Sequence, residues 1–233
     1  MKKRFINILT AVLVIIIFIC IYKITDKNYE YYKADKSYEE VRNVKNSIKK
    51  TKKTSLSDIN SDYRFWINIP GTSIDYPVVQ TSDNNFYLKN DFYKNKSING
   101  AIFLDKSNKI SSDENLIIYG HNMRNGSMFQ DLTNFKDKDF FHKGIVKISK
   151  ENKQYTYEIF SVFTEKSSNV QLKTNFKNKE QFNLYINDLI KKSIYKKNID
   201  SKNITKIITL YTCSYDFEEA RTIVCAALAE ELL

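Results

Sequence analysis

From Phe5 to Tyr22 the chain runs for 18 residues without a charge, with Lys2, Lys3 and Arg4 directly before that stretch and Lys23, Asp26 and Lys27 after it. A stretch of that length is enough to cross a bilayer as a helix. The basic residues crowd its N-terminal side, so the positive-inside tendency predicts Met1 in the cytoplasm and everything beyond about residue 25 outside. A cleaved secretory signal would have a shorter apolar region ending in small residues, and Phe18-Ile19-Cys20-Ile21-Tyr22 offers no such site. The expectation is an uncleaved anchor, with Cys20 as a lipid-facing side chain.

The remaining chain, in a sequence of 233 residues that is 42% hydrophobic, is long enough for one globular domain with a real core and too short for a second. Residues 1–4 are expected as a cytoplasmic tail, 5–22 as the anchor, 23–58 as an extracellular helical segment and 59–233 as the catalytic domain. In the third of these, Tyr38, Val41, Val44 and Ile48 recur at helical spacing, which predicts a juxtamembrane helix or a pair of helices. The run Lys49-Lys50-Thr51-Lys52-Lys53 reads as a basic linker near the bilayer surface.

From Ser55 onward the apolar runs are short and separated by Asn, Asp, Ser and Gly. Phe65–Ile69, Ile74–Val79, Ala101–Leu104, Asn115–Tyr119, Ile145–Ile148, Tyr155–Phe163, Ile207–Cys213 and Arg221–Leu228 predict eight strands, and hence a closed or nearly closed barrel. Only five glycines and two prolines punctuate the chain, so Asn and Asp must make many of the turns. One segment breaks the pattern. Phe182, Tyr185, Ile186, Leu189 and Ile190 share one face of an amphipathic helix, with Asn178 as its N-cap, between the sixth and seventh strands. The fold class is therefore mainly β, with helices before the barrel and one inserted into it.

The seventh run ends in a thiol, Cys213, and Arg221 opens the eighth, so a nucleophile and a guanidinium are expected at neighbouring strand ends. A thiol attacks as thiolate, and nearby positive charge favours that form. The chain has two histidines. His121 closes the strand-like run after Asn115, whereas His142, in Phe140-Phe141-His142-Lys143-Gly144, reads as a surface turn residue. A Cys213/His121/Arg221 site is the leading expectation. Outside the cell Cys213 could instead pair with Cys225, which would block it; the apolar surroundings of Cys225 read rather as those of a small buried hydrophobe. Arg221 has Glu218 and Glu219 as alternative ion-pair partners.

The net charge of +10 suits an anionic lipid or wall surface. Scattered lysines in an exported domain argue against nucleic acid. The two histidines and dispersed carboxylates lack ligand spacing, so neither a metal nor another cofactor is expected.

Tyr119-Gly120-His121-Asn122-Met123, together with Thr209-Leu210-Tyr211-Thr212-Cys213-Ser214-Tyr215 and the following Arg221, resembles the sortases, membrane-anchored cysteine transpeptidases of Gram-positive bacteria. The similarity extends over most of residues 60–230, including Tyr76-Pro77-Val78-Val79-Gln80 and Asp83-Asn84. A helix between the sixth and seventh strands, with helices ahead of the barrel, resembles class B. The resemblance implies an enzyme that cuts surface proteins at a C-terminal sorting motif and joins them to an amino group of peptidoglycan or its lipid-linked precursor. Cys213 would form a thioacyl-enzyme, His121 would protonate the departing amine and deprotonate the incoming one, and Arg221 would hold the oxyanion or the substrate backbone. Asn84, Leu88, Tyr211, Thr212 and Ser214 would line the substrate groove, with residues 168–174 as its other wall. Tyr211 stands where the family usually has a smaller residue such as Ser. Two alternatives remain at this point, an anchored cysteine peptidase and a non-catalytic wall-binding scaffold.

Overall fold

The computed structural model describes residues 2–51 and 55–232. Met1 of the expected tail and Lys52 and Lys53 of the basic run lie outside the described residues. No Gly or Pro interrupts the chain between Lys2 and Thr51, and these residues form one helix, α1 (Lys2–Thr51). Where the sequence allowed one juxtamembrane helix or two, there is one, continuous with the apolar stretch. That apolar part is long enough to cross a membrane. A single-turn helix, α2 (Leu56–Ile59), leads into the barrel, with Ser55 and Asp58 forming a capping box.

The barrel strands are β1 (Tyr63–Asn68), β2 (Asp75–Val79), β3 (Ile102–Leu104), β4 (Asn115–Tyr119), β5 (Ile145–Lys150), β6 (Lys153–Lys166), β7 (Ile207–Cys213) and β8 (Ala220–Leu232). Each overlaps a run predicted as a strand. They close in the order β1-β2-β3-β4-β7-β8-β6-β5, with β2–β3 and β4–β7 parallel and the other pairs antiparallel. A short helix, α3 (Lys138–Lys143), precedes β5, and α4 (Lys179–Lys192) lies between β6 and β7. Asn178 caps α4 as expected, its side chain accepting from the Gln181 N–H. His142 is exposed, as predicted, but in the last turn of α3 rather than in a turn.

Side-chain alternation along the strands divides the apolar residues into two cores. Val162, Ile208, Leu210, Val224 and Ala226 point into the barrel, in a cluster that also takes in Tyr38 and Val41 of α1. The Tyr38 hydroxyl donates to the Gly100 carbonyl at 2.6 Å, and its ring meets Tyr76 edge to face. Phe163, Ile207, Ile223, Cys225 and Ala227 point outward and are covered by Phe182, Ile186 and Leu189 of α4. Burying each of those three helix side chains contributes about 1.5–3 kcal/mol, which fixes α4 against the β6–β8–β7 face.

Candidate active site

The register of three adjacent strands brings the sequence-predicted residues together. β7 and β8 pair so that Cys213 lies opposite Arg221, and β4 runs parallel to β7 with Tyr119 beside Tyr211. The pairing continues past the end of β4: Gly120 N–H donates to the Tyr211 carbonyl at 3.2 Å, and the Asn122 side chain donates to the Cys213 carbonyl at 2.9 Å. His121, two residues beyond Tyr119, is therefore level with Cys213, two residues beyond Tyr211. Alternation puts His121, Cys213 and Arg221 on the outward face, in one row across strands about 4.8 Å apart. Cys213 is the middle member and is exposed.

Below that row, Tyr119 and Tyr211 meet edge to face with ring centres 5.3 Å apart, forming an aromatic floor. The Tyr119 hydroxyl donates to Asp105 at 2.9 Å. Burial acts to raise the Asp105 pKa, but hydrogen bonds from Ser107, Tyr119 and Asn84 outweigh it and hold the carboxyl below its usual value. Burial also raises the Tyr211 phenol, and Arg221, within reach of its hydroxyl, offsets part of that. Asp105 and Tyr119 face Leu172, Lys173 and Thr174 across a cleft of about 350 Å³. Of the 168–174 segment, residues 172–174 line this cleft.

The ring of His121 is held from the far side, its Nε2 lying 2.8 Å from the Leu88 carbonyl oxygen. A carbonyl oxygen only accepts, so Nε2 carries the hydrogen of this bond and Nδ1 is the ring nitrogen outside it. Leu88 thus meets His121 through its backbone carbonyl, while its side chain packs on the barrel core. Asn84 has both ends engaged, donating to Asp105 at 2.8 Å and accepting from the Lys106 N–H at 2.8 Å. Thr212 is buried, and its hydroxyl donates to the Gly120 carbonyl at 2.7 Å, tying the ends of β4 and β7 together. Ser214 is nearly buried, with its N–H on the Ala220 carbonyl at 2.8 Å.

Several contributors escaped the sequence reading. Asn122 carries no sequence signal of its own beyond the motif that contains His121. Lys136 bonds the Ser214 hydroxyl at 3.4 Å and also the Asp216 carboxylate, which accepts from Thr164 at 3.0 Å. These contacts brace the loop that carries the chain from Cys213 to Arg221. Lys136 first, then Thr164 and Ser214, hold the Asp216 carboxyl below its usual pKa. No local signal marks Lys136, which lies 78 residues from Ser214 in sequence. Among the described residues Arg221 has no salt bridge, and Glu219 pairs instead with Lys166 at 3.7 Å. Cys213 and Cys225 are both free, and Cys225 is buried.

The sortase domain family model matches residues 67–229. The chain belongs to the sortase family. A sortase B from Listeria monocytogenes is 34% identical over 180 residues, covering 72% of this chain and 70% of that protein. A sortase B from Staphylococcus aureus is 28% identical over 226 residues, 93% of each. The crystal structure of sortase B from Clostridium perfringens is 44% identical and superposes with a TM-score of 0.72, covering 75% of this chain and 98% of that one. A Staphylococcus aureus sortase B–substrate complex superposes with a TM-score of 0.76 at 27% identity, covering 86% of this chain and 98% of the other. This sortase is a cysteine transpeptidase with the eight-stranded closed barrel of the sortase B structures.

Proposed function

We propose that this sortase is a class B-like enzyme held in the cell membrane by α1, with the N-terminus cytoplasmic and the barrel outside, facing the wall. It cleaves surface proteins at a C-terminal sorting motif and transfers them to an amino group of peptidoglycan or its lipid-linked precursor. The observation that carries this reading is the row His121–Cys213–Arg221, with the exposed thiol between a histidine and a guanidinium.

Cys213 gives its thiol proton to His121 Nδ1, and the resulting thiolate Sγ attacks the carbonyl carbon of the motif residue at the cut. The tetrahedral intermediate collapses to a thioester as the C–N bond breaks, and the departing amine takes a proton from His121 Nδ1. An incoming amine then attacks the thioester and gives its proton to the same nitrogen. An amide forms and the Cys213 sulfur leaves. Arg221, beside both Cys213 and Tyr211, donates to the oxyanion or to the substrate backbone, a task that suits its planar fork better than a lysine ammonium. The Leu88 carbonyl keeps the His121 ring from turning its Nε2 toward the thiol.

In this reading Tyr211 contributes aromatic surface to the groove and Leu88 the carbonyl that orients His121. Asn84, Thr212 and Ser214, whose polar groups already have partners, support the groove rather than reach into it. The continuous helix α1 and its Lys2, Lys3 and Arg4 flank favour the anchored topology.

The test uses the full chain in detergent with sorting-motif peptides, with and without an amine acceptor, followed by intact mass. A thioacyl adduct that is absent in Cys213→Ala and resolves to an amide with acceptor supports the transpeptidase. Peptide cleavage with water as the only acceptor, whatever amine is offered, would leave an anchored cysteine peptidase. No adduct at all would leave a wall-binding scaffold. In a Cys20→Ala/Cys213→Ala background, reactivity of cysteines introduced at residue 2 and at Lys143 toward a membrane-impermeant thiol reagent on intact cells tests the topology, with labelling expected only at the second.

A further inference from the structure

The end of the barrel away from Cys213 opens into a cleft of about 710 Å³. Lys206, on its wall, immediately precedes β7, whereas Cys213 ends that strand, so about 20 Å separates the two at the rise of an extended chain. Phe65, Leu116, Ile148, Tyr157 and Leu228 form an apolar floor. Above it stand five cationic side chains, Arg64, Lys109, Lys150, Lys153 and Lys206, against two carboxylates, Glu151 and Glu231.

The ion pairs in this cleft do not balance its charge. Lys153 and Glu231 pair at 3.1 Å. Among the described residues Lys109, Lys150, Lys206 and Arg64 have no salt bridge. Arg64 spends four of its five N–H donors on Gln80 and on the carbonyls of Ser61 and Tyr63, at 2.9–3.3 Å, so it supplies mainly fixed positive charge. Lys206 donates to the Ile110 carbonyl at 2.7 Å and is half-buried, and desolvation lowers its pKa against the opposing pull of Asp113, Glu231 and Glu114. Lys109 and Lys150 are left to donate to a ligand. Such a rim over an apolar floor suits a chain of phosphate groups joined by short carbon units.

The docking of α1 bears on the source of such a ligand. Asp35 accepts from Asn99 and Asn125, the latter four residues after His121, while Lys45 lies over the Trp66 ring at 3.8 Å. Ile48 lines a neighbouring cleft that shares Arg64, Lys150 and Glu151 with the cationic one. The helix thus runs along the barrel from the catalytic end toward the cationic end, and the 26 helical steps from Tyr22 to Ile48 span roughly 39 Å. On the anchored reading proposed above, bilayer headgroups are out of reach of this cleft. We propose that the cleft is a binding site for a phosphodiester polyanion of the cell envelope, which holds the barrel to its surroundings at the end opposite the catalytic row. The binding itself does not depend on the transpeptidase assignment; only the choice of a polymer over lipid headgroups rests on the anchored topology.

The experiment uses the full chain in nanodiscs of neutral phosphatidylcholine, titrated with soluble poly(glycerol phosphate) at low and physiological salt. Binding is expected to weaken with salt and to fall about tenfold or more in Lys109→Gln/Lys150→Gln/Lys206→Gln. Lys109→Gln/Lys150→Gln, which keeps the bond from Lys206 to Ile110, guards against misfolding and should retain part of the loss. The control Lys138→Gln/Lys143→Gln/Lys191→Gln removes the same charge from exposed sites elsewhere and should bind nearly as wild type. Equal losses in cleft and control variants would overturn the site in favour of diffuse charge, as would an absence of binding at low salt. Binding that requires phosphatidylglycerol in the disc would overturn the polymer as its source. Thioacyl formation at Cys213, measured on the same samples, should be unchanged in all the variants; if it fails in wild type while the cleft still binds, the catalytic reading falls and this one stands.

Discussion

The ladder between β7 and β8 carries two cysteines on the same outward face, and they meet opposite conditions. At one point Thr209 faces Cys225; four pairs further along, Cys213 faces Arg221. Cys225 lies beneath α4 with no exposure, and burial pushes its pKa up to about 12. Cys213 lies past the end of that cover, exposed, between a histidine and a guanidinium. Backbone, pairing and residue type are alike at the two positions. The difference is where α4 stops, so which thiol of this ladder is exposed is set by what leaves a strand end uncovered.

The most severe break of this comparison is to remove each thiol in turn. Cys213→Ala is expected to abolish thioacyl formation and transfer altogether while leaving the urea midpoint nearly unchanged. Cys225→Ala should do the reverse, keeping turnover within a few-fold and costing about 1 kcal/mol through a small cavity. Turnover that survives Cys213→Ala would end the assignment of this thiol as nucleophile.

The next largest effect should come from the residue facing the nucleophile. Arg221→Ala is expected to lower kcat/KM by about a hundredfold or more, the usual cost of losing an oxyanion donor. Arg221→Lys should recover only part of this, because an ammonium keeps the charge but lacks the fork. Equal activity of the Lys variant and wild type would reduce the role of Arg221 to charge alone.

The comparison can also be weakened from the cover side. In a Cys20→Ala background, native chain should take up one equivalent of iodoacetamide, at Cys213, with Cys225 reacting only on unfolding. Leu189→Ala removes part of the α4 face and should cost about 2–4 kcal/mol. It should also let Cys225 label through local opening, at a rate that rises with urea while the chain is still mostly folded. If Cys225 stays silent until global unfolding, α4 and the sheet open as one unit.

Much of this contrast was legible in the sequence. The runs Ile207–Cys213 and Arg221–Leu228 alternate between two apolar faces, and Phe182, Ile186 and Leu189 announce the helix that covers one of them. The strands β6 and β8 run further than their apolar cores because Glu230, Glu231 and Leu232 pair with Gln154–Thr156 in a ladder that polar residues join once the partner is present. The short α3 was not foreseen, since a helix of six residues owes its existence to packing, here of the buried Phe141. The contacts that aim the site were invisible for a different reason. His121 to Leu88 spans 33 residues, Asn122 to Cys213 spans 91 and Lys136 to Asp216 spans 80. Such pairs follow from the strand order of the closed barrel, which alternation along single strands does not encode.

The smallest effect belongs to the loop that joins the two halves of the uncovered row. Asp216 is held below its usual pKa first by Lys136 and then by Thr164 and Ser214. A carboxyl of depressed pKa contributes stability above its unfolded value, near pH 4, and loses that contribution as pH falls through the folded value. With Asp216 47% exposed, screening limits the contribution to about 0.5 kcal/mol. Asp216→Asn should therefore be slightly less stable than wild type at neutral pH, and the two chains should converge in acid. Because the same loop runs from Cys213 to Arg221, the variant should also lose a few-fold in kcat with little change in KM, through misplacement of Arg221. A stability gap that persists unchanged well below pH 3 would mean that the carboxylate charge is not what braces the loop.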